Sequence, residues 1–214
     1  MRRLLLLTAG LVALSCAHQQ AVSGTETKAP KGSAEAVEGL TELRPQPGER
    51  VTAYDLDHDG KPDLWRYSII VAEGKERVIR KERDLNGDGR VDMWQAFDAD
   101  GNLVKEAFDL DFDGKPDLAI TYEKGQLVKK EFAPGFDGMV RTTEYYENGK
   151  LVRKERDTKG DGKVDTWEYY ENGELDRIGV DLDGDGQVDR WIRRGGDKDG
   201  EGAPAPAAAP APAK

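Results

Sequence analysis

An acidic nonapeptide recurs along this chain at nearly constant intervals, and that period restricts the fold more than any other feature of the 214 residues. The copies are DLDHDGKPD at 55–63, DLNGDGRVD at 84–92, DLDFDGKPD at 109–117, DTKGDGKVD at 157–165 and DLDGDGQVD at 181–189. Their starts differ by 29, 25, 48 and 24 residues, and because 48 is twice 24 a decayed sixth copy is expected to begin near 133. Asp137 and Gly138 fall there as Asp113 and Gly114 fall in the copy before. Six units of about 24 residues predict an array in which each unit packs on its neighbours.

The interior of each unit reads as a hairpin. After each acidic loop comes a short run rich in aromatic residues, such as MWQAF at 93–97 or TWEYY at 166–170, which suits a strand. A turn follows at Asp100-Gly101, Lys124-Gly125, Asn148-Gly149 and Asn172-Gly173. Asn-Gly and Asp-Gly are strong hairpin signals because both turn residues need positive φ. A second strand, for example LVRKER at 151–156, then runs into the next acidic loop. The expected fold is an all-β antiparallel hairpin ladder over residues 48–194, with acidic loops along one edge and glycine turns along the other. A β-solenoid is the alternative. A propeller fits poorly, since six hairpins make only three blades. Strand alternation puts Trp65 with Tyr67 and Trp167 with Tyr169 on one face, so an aromatic row is expected to cross the sheet as core. The Lys, Arg and Glu residues of the second strands are expected to form a solvated, charge-paired face.

The loops point to a hard cation. Positions 1, 3, 5 and 9 are Asp55, Asp57, Asp59 and Asp63 in the first copy and Asp84, Asn86, Asp88 and Asp92 in the second. They are Asp109, Asp111, Asp113 and Asp117 in the third, and Asp181, Asp183, Asp185 and Asp189 in the last. A tight loop turns alternate side chains inward, and converging carboxylate oxygens are what Ca2+ requires. Glycine at position 6, as at Gly186, allows a bend that a β-carbon would resist. The copy with Asp157, Asp161 and Asp165 carries Lys159 at position 3 and is expected to bind most weakly.

With acid at position 9, the pattern resembles the calcium loops of integrin α-subunit repeats and of bacterial FG-GAP-like repeats, in which the loop joins two antiparallel strands. It is similar to an EF-hand loop over its first nine positions. Position 12, where an EF-hand has a bidentate Glu, is Arg66, Gln95, Ile120, Glu168 and Ile192, and the flanks are strand-like. The resemblance implies that position 7 contributes its backbone carbonyl, here from Lys61, Arg90, Lys115, Lys163 and Gln187. The hairpins look like MORN-type repeats.

The ends of the chain read differently. Arg2 and Arg3 precede an apolar run from Leu4 to Leu14, too short for a bilayer and suited to a signal peptide over 1–15. Ala13-Leu14-Ser15-Cys16 resembles a bacterial lipobox, which implies diacylated Cys16 as a membrane anchor. Ala17 after it implies the outer membrane under the sorting rule of such lipoproteins. Residues 16–47 are expected to be a flexible tether, and residues 195–214, rich in Ala and Pro, an extended tail. Cys16 has no partner cysteine in the chain, so no disulfide is expected.

Composition narrows the function. Removal of Arg2 and Arg3 with the signal takes the net charge from −10 to −12, and a pI near 4.9 disfavours nucleic acid. Only His18 and His58 are present as histidines, and no nucleophile–base set stands out, so no catalytic residues are assigned. A calcium-binding envelope lipoprotein acting as a structural or protein-interaction module is the leading expectation. A cell-wall glycan binder using the Trp/Tyr row is the second, and a carboxylate enzyme acting on glycans the third.

Overall fold

The computed structural model describes residues 47–193 apart from Phe136. The signal peptide, Cys16, nearly all of the tether, and the tail lie outside the described residues. Twelve strands form one open sheet in chain order, every neighbour antiparallel. They are β1 (Arg50–Tyr54), β2 (Leu64–Ile70), β3 (Glu76–Arg83), β4 (Met93–Phe97), β5 (Leu103–Phe108) and β6 (Leu118–Glu123). The series continues with β7 (Gln126–Phe132), β8 (Thr142–Glu147), β9 (Lys150–Arg156), β10 (Thr166–Glu171), β11 (Glu174–Val180) and β12 (Arg190–Arg193). This is the hairpin ladder, and consecutive antiparallel pairing excludes the solenoid. The acidic loops join β1 to β2, β3 to β4 and so on along one edge, and the turns line the other.

Two-residue turns form at three of the four pairs that the sequence signals. Lys124, Asn148 and Asn172 have φ of 51°, 50° and 52°, each followed by a glycine with positive φ, the backbone of a type I′ turn. The Asp100-Gly101 turn departs from this expectation. Asp98 to Asn102 make a five-residue connection in which only Gly101 has positive φ. The Asp98 carboxylate holds it open by accepting from the amides of Asp100 at 2.9 Å and Asn102 at 2.8 Å. The first turn is also wide and contains a 3-10 segment, Ala72–Gly74. Wider turns, together with a longer β2 and β3, absorb the irregular first two intervals.

Every hairpin carries a register shift one residue after the same tyrosine, alanine or threonine row. Opposite Tyr67/Ser68, for instance, Ile79 is the extra residue between partners Arg80 and Val78. Bulges of this kind steepen the right-handed twist. The hydrophobic core gathers within this single sheet, without a second layer. Ala53, Trp65, Tyr67, Ile79, Val91, Trp94, Ala96 and Ala107 make the core. It is concentrated in β1 to β5, and Trp167 and Trp191 at the other end are only half-buried.

The charged second strands depart from expectation. Antiparallel register puts Arg80 beside Tyr67 and Glu82 between Trp65 and Trp94, on the core face. Arg80 is 2% exposed and Glu82 0%, so they are not a solvated face. The Arg80 guanidinium lies 3.7 Å over the Tyr67 ring, 3.1 Å from Glu49 and 3.3 Å from Glu82, which also accepts from the Tyr67 hydroxyl at 2.7 Å. Tyr145, Arg153 and Glu155 repeat the arrangement half-buried. The fold thus satisfies its buried charges by ion pairs along a strand, each joined by a tyrosine from the neighbouring strand, which the parity of a single strand does not reveal.

The opposite face carries three tyrosine–glutamate bonds: Tyr122 to Glu106 at 2.8 Å, Tyr146 to Glu144 at 2.6 Å and Tyr170 to Glu168 at 2.6 Å. Burial, then the bond to glutamate, pushes each hydroxyl from 10.0 up to about 12. A raised phenol pKa favours the protonated folded state. Its stabilisation is complete below pH 10.0 and disappears as pH rises through about 12. Ultraviolet titration of the folded chain is expected to show a tyrosine class with a midpoint near 12, absent in denaturant. A single folded-state midpoint near 10.0 would contradict these bonds.

Candidate metal centres

The loop at 181–189 shows how the local sequence builds a centre. The Asp181 amide donates to the Asp165 carbonyl at 2.9 Å and the Asp189 amide to that of Val180 at 3.0 Å, which ties both ends to the sheet. Between them the carboxylates fold the chain. Asp181 accepts from the amides of Gly184 and Gly186 at 2.6 and 2.7 Å, and Asp189 from those of Leu182 and Asp183 at 2.6 and 3.2 Å. Asp183 accepts from Asp185 at 3.0 Å, and Asp185 from Gln187 at 2.8 Å. Positive φ is needed at position 4 as well as 6. His58 and Phe112 adopt it at 67° and 65° without being glycine, a strain invisible in the spacing of the acids.

Convergence follows. In three loops one oxygen from each of positions 1, 3 and 9 lies within 4.8 Å of the others: Asp55, Asp57 and Asp63; Asp109, Asp111 and Asp117; Asp181, Asp183 and Asp189. Position 5 stands outside these groups. Asp59 and Asp113 turn to Lys61 at 3.8 Å and Lys115 at 3.7 Å, and Asp185 accepts from the Gln187 side chain at 2.9 Å. Burial pushes the Asp109 carboxyl up despite the amides of Gly114 and Phe112. Three oxygens on one side of a loop, with water on the other, fit a hard cation that completes its shell with solvent.

The loop at 84–92 repeats most of these hydrogen bonds with Asn86 in the third place, and the Asn86 amide donates to Asp84 at 3.1 Å. Asp92 is 1% exposed, and burial pushes its carboxyl up, reinforced by the charges of Asp84 and Asp88 against the amides of Leu85 and Asn86. The loop at 157–165 differs. Asp165 accepts from the hydroxyls of Thr158 at 2.7 Å and Thr166 at 2.8 Å, and from the amides of Thr158 and Lys159 at 2.9 Å each. Against the effect of burial, these bonds hold its carboxyl low. Lys159 leaves its own loop and donates to the Asp181 carbonyl at 3.2 Å.

The decayed copy is the informative one. Position 1 is Ala133, position 9 is Arg141, and both ends stay tied to the sheet: the Ala133 amide donates to Asp117 at 2.7 Å and the Arg141 amide to Phe132 at 2.9 Å, as Asp181 does to Asp165 and Asp189 to Val180. The Arg141 guanidinium turns onto Asp137, with one contact at 3.1 Å and another at 2.5 Å. A β-carbon on Gly135 would lie 2.0 Å from the guanidinium, so glycine there makes room for it. Where the two end carboxylates are lost, the chain supplies a cation of its own. The sequence placed this copy by its period but did not disclose the arginine's role.

Position 8 was also missed. Val91 is fully buried in the core, and a β-carbon on Gly179 would come within 2.8 Å of Val188. These valines fold from the loop onto the core face, so the loop and the sheet are one packing unit. For the aromatic row, Trp65 at 6% and Trp94 at 0% exposure are closed to any ligand, while Trp167 and Trp191 are half-buried.

The molecule is thus a single-sheet antiparallel β repeat protein with an acidic loop edge. No protein-family profile matches the chain, and no curated protein matches it. Among solved structures, a crystal structure of accessory secretory protein 1,2 and 3 in Streptococcus pneumoniae aligns with 61% of this chain at 16% identity and a TM-score of 0.25. The chain spans about a fifth of that structure's chain, 20%, and a likeness at this level bears on neither fold nor function.

Proposed function

We propose that this chain is a calcium-binding repeat lipoprotein of a bacterial envelope, anchored through Cys16, whose sheet serves as a structural or protein-interaction scaffold. The observation that carries the calcium reading is the convergence at positions 1, 3 and 9. In three loops one carboxylate oxygen from each of these positions comes together while the lysines of two of them pair with position 5, and the decayed loop, without the end aspartates, sets the Arg141 guanidinium on its position-5 Asp137. The loops at 55, 109 and 181 are the principal sites, and the loop at 84 is a fourth using the Asn86 amide oxygen. The loop at 157 is the weakest because Lys159 occupies position 3. Ca2+ suits these loops better than Mg2+, which demands octahedral geometry and dehydrates reluctantly.

Calorimetric titration with Ca2+ is expected to find four sites on the wild-type chain. The Ala133→Asp/Gly135→Asp/Arg141→Asp variant restores carboxylates at positions 1, 3 and 9 and is expected to gain a fifth, while Lys159→Asp strengthens the loop at 157. A folded triple variant with no additional site would refute the loop reading. For the anchor, a fatty-acid label is expected on the wild type and not on Cys16→Ser.

A further inference from the structure

We propose that the two ends of the ladder are halves of one interface, and that β12 of one copy pairs antiparallel with β1 of a second copy of this chain. Every internal unit consists of a strand leaving an acidic loop, a turn, and a strand entering the next loop. β12 starts at Arg190, directly after Asp189, as β10 starts at Thr166 after Asp165. It is a leaving strand with no successor among the described residues. β1 ends at Tyr54, directly before Asp55, as β11 ends at Val180 before Asp181. It is an entering strand with no described predecessor, and Gly48 ahead of it has the positive φ, 79°, of the ladder's turn glycines.

The register of the internal hairpins dictates the register of the junction. The second residue of each leaving strand pairs with the second-last residue of the entering strand: Trp65 with Glu82, Trp94 with Ala107, Trp167 with Gly179. Between copies this rule pairs Trp191 with Ala53, Arg190 with Tyr54, Ile192 with Thr52 and Arg193 with Val51. The residues fit. Within the chain Gly179 lies between Trp167 and Trp191, a small residue flanked by two indoles. Ala53 already pairs with Trp65 on its inner side, so the junction recreates the same indole, small residue, indole sequence across two copies. It would cover the half-buried Trp191 and the 41% exposed Ile192. β1 has no proline and no charge between Arg50 and its loop, so it lacks the usual obstacles to edge pairing.

A second β12 is the wrong partner for β12, because antiparallel pairing would oppose Arg190 and Arg193 across the strands. The contact is therefore head-to-tail, which joins copies in series rather than as a two-fold dimer. Four residues of β12 make a small interface, which places the association in the weak, concentration-dependent class. Crowding of anchored copies on a membrane would favour it, but the pairing itself does not depend on calcium or on the anchor.

The experiment uses the full chain with Cys16→Ser, to which Val51→Cys and Arg193→Cys are added. Directly opposed residues on antiparallel strands are within disulfide reach. Mild oxidation is expected to give a ladder of covalent oligomers that lengthens with protein concentration. The out-of-register pair, Val51→Cys with Arg190→Cys, is expected to lose that ladder. Sedimentation velocity of the Cys16→Ser chain is expected to show a coefficient that rises with concentration. Dimers from Arg193→Cys alone in equal yield would overturn the head-to-tail arrangement. A concentration-independent sedimentation coefficient together with no ladder from the in-register pair would overturn the interface.

Discussion

Chelation of calcium is expected to lower the melting temperature of this protein by on the order of 10 °C. The loops at 55, 109 and 181 each hold three carboxylate oxygens within 4.8 Å, and without a cation their repulsion would oppose the turn. The sheet has little to set against that cost, since its core is one-sided and confined largely to β1–β5. Calcium modules outside the cell bind with Kd of about 10⁻⁴ to 10⁻³ M. At about 1 mM Ca2+ a site present only in the folded state then contributes about 0.4 to 1.4 kcal/mol. Four sites taken as independent contribute about 2 to 6 kcal/mol, comparable with the whole stability of an ordinary domain. In a domain near this size each kcal/mol moves the midpoint by about 2 to 4 °C. Magnesium is expected to restore little of the loss. Asp183→Asn separates charge from fold, because an asparagine still accepts from the Asp185 amide. It is expected to weaken calcium binding in the last loop while leaving the chelated protein no less stable. A melting curve that chelator moves by less than a degree would end the argument.

Glu82→Ala is expected to destabilise the ladder by about 3 to 5 kcal/mol, with or without calcium. Glu82 is fully buried and accepts from the Tyr67 hydroxyl while facing the Arg80 guanidinium at 3.3 Å. Its removal takes the acceptor from the phenol and one carboxylate from the guanidinium in a buried site, while Glu49 at 3.1 Å continues to hold Arg80. Arg80→Met/Glu82→Leu removes both charges at similar volume but still takes the partner from the Tyr67 hydroxyl and from Glu49, so it is expected to recover only part of the loss. Glu155 occupies the equivalent place beside Arg153 and Tyr145, but its side chain is 17% exposed. Glu155→Ala is therefore expected to cost about 1 kcal/mol, because water can serve the abandoned groups. Urea titrations of the three variants test the order. Equal losses for Glu82→Ala and Glu155→Ala would show that burial does not set the strength of these networks.

The parts of this protein legible in the sequence are those set by neighbours within one unit. A loop whose acids fall at positions 1, 3, 5 and 9 folds on its own amides, as Asp181 does on Gly184 and Gly186, so its place and period show in the text of the chain. Asn148-Gly149 and Asn172-Gly173 likewise specify their turns through their own φ angles. With the loops and turns placed, the antiparallel order of the strands follows. What the tertiary structure decided depends on register between strands and on the depth of burial. The charged strands belong to the core face at Arg80 and Glu82 because register sets them opposite Tyr67, Trp65 and Trp94, where Tyr67 from the neighbouring strand joins the ion pair that the two make along their own. Asp98 opened a turn that the Asp100-Gly101 pair suggested would be tight, because a nearby acceptor outweighed the local preference. Arg141 could be read as one more basic residue until the fold laid it on Asp137, with only Gly135 small enough to permit it. Spacing along a chain shows which groups can converge. Whether a cation, an amide or an arginine neutralises them depends on what the folded neighbours bring within a few ångströms.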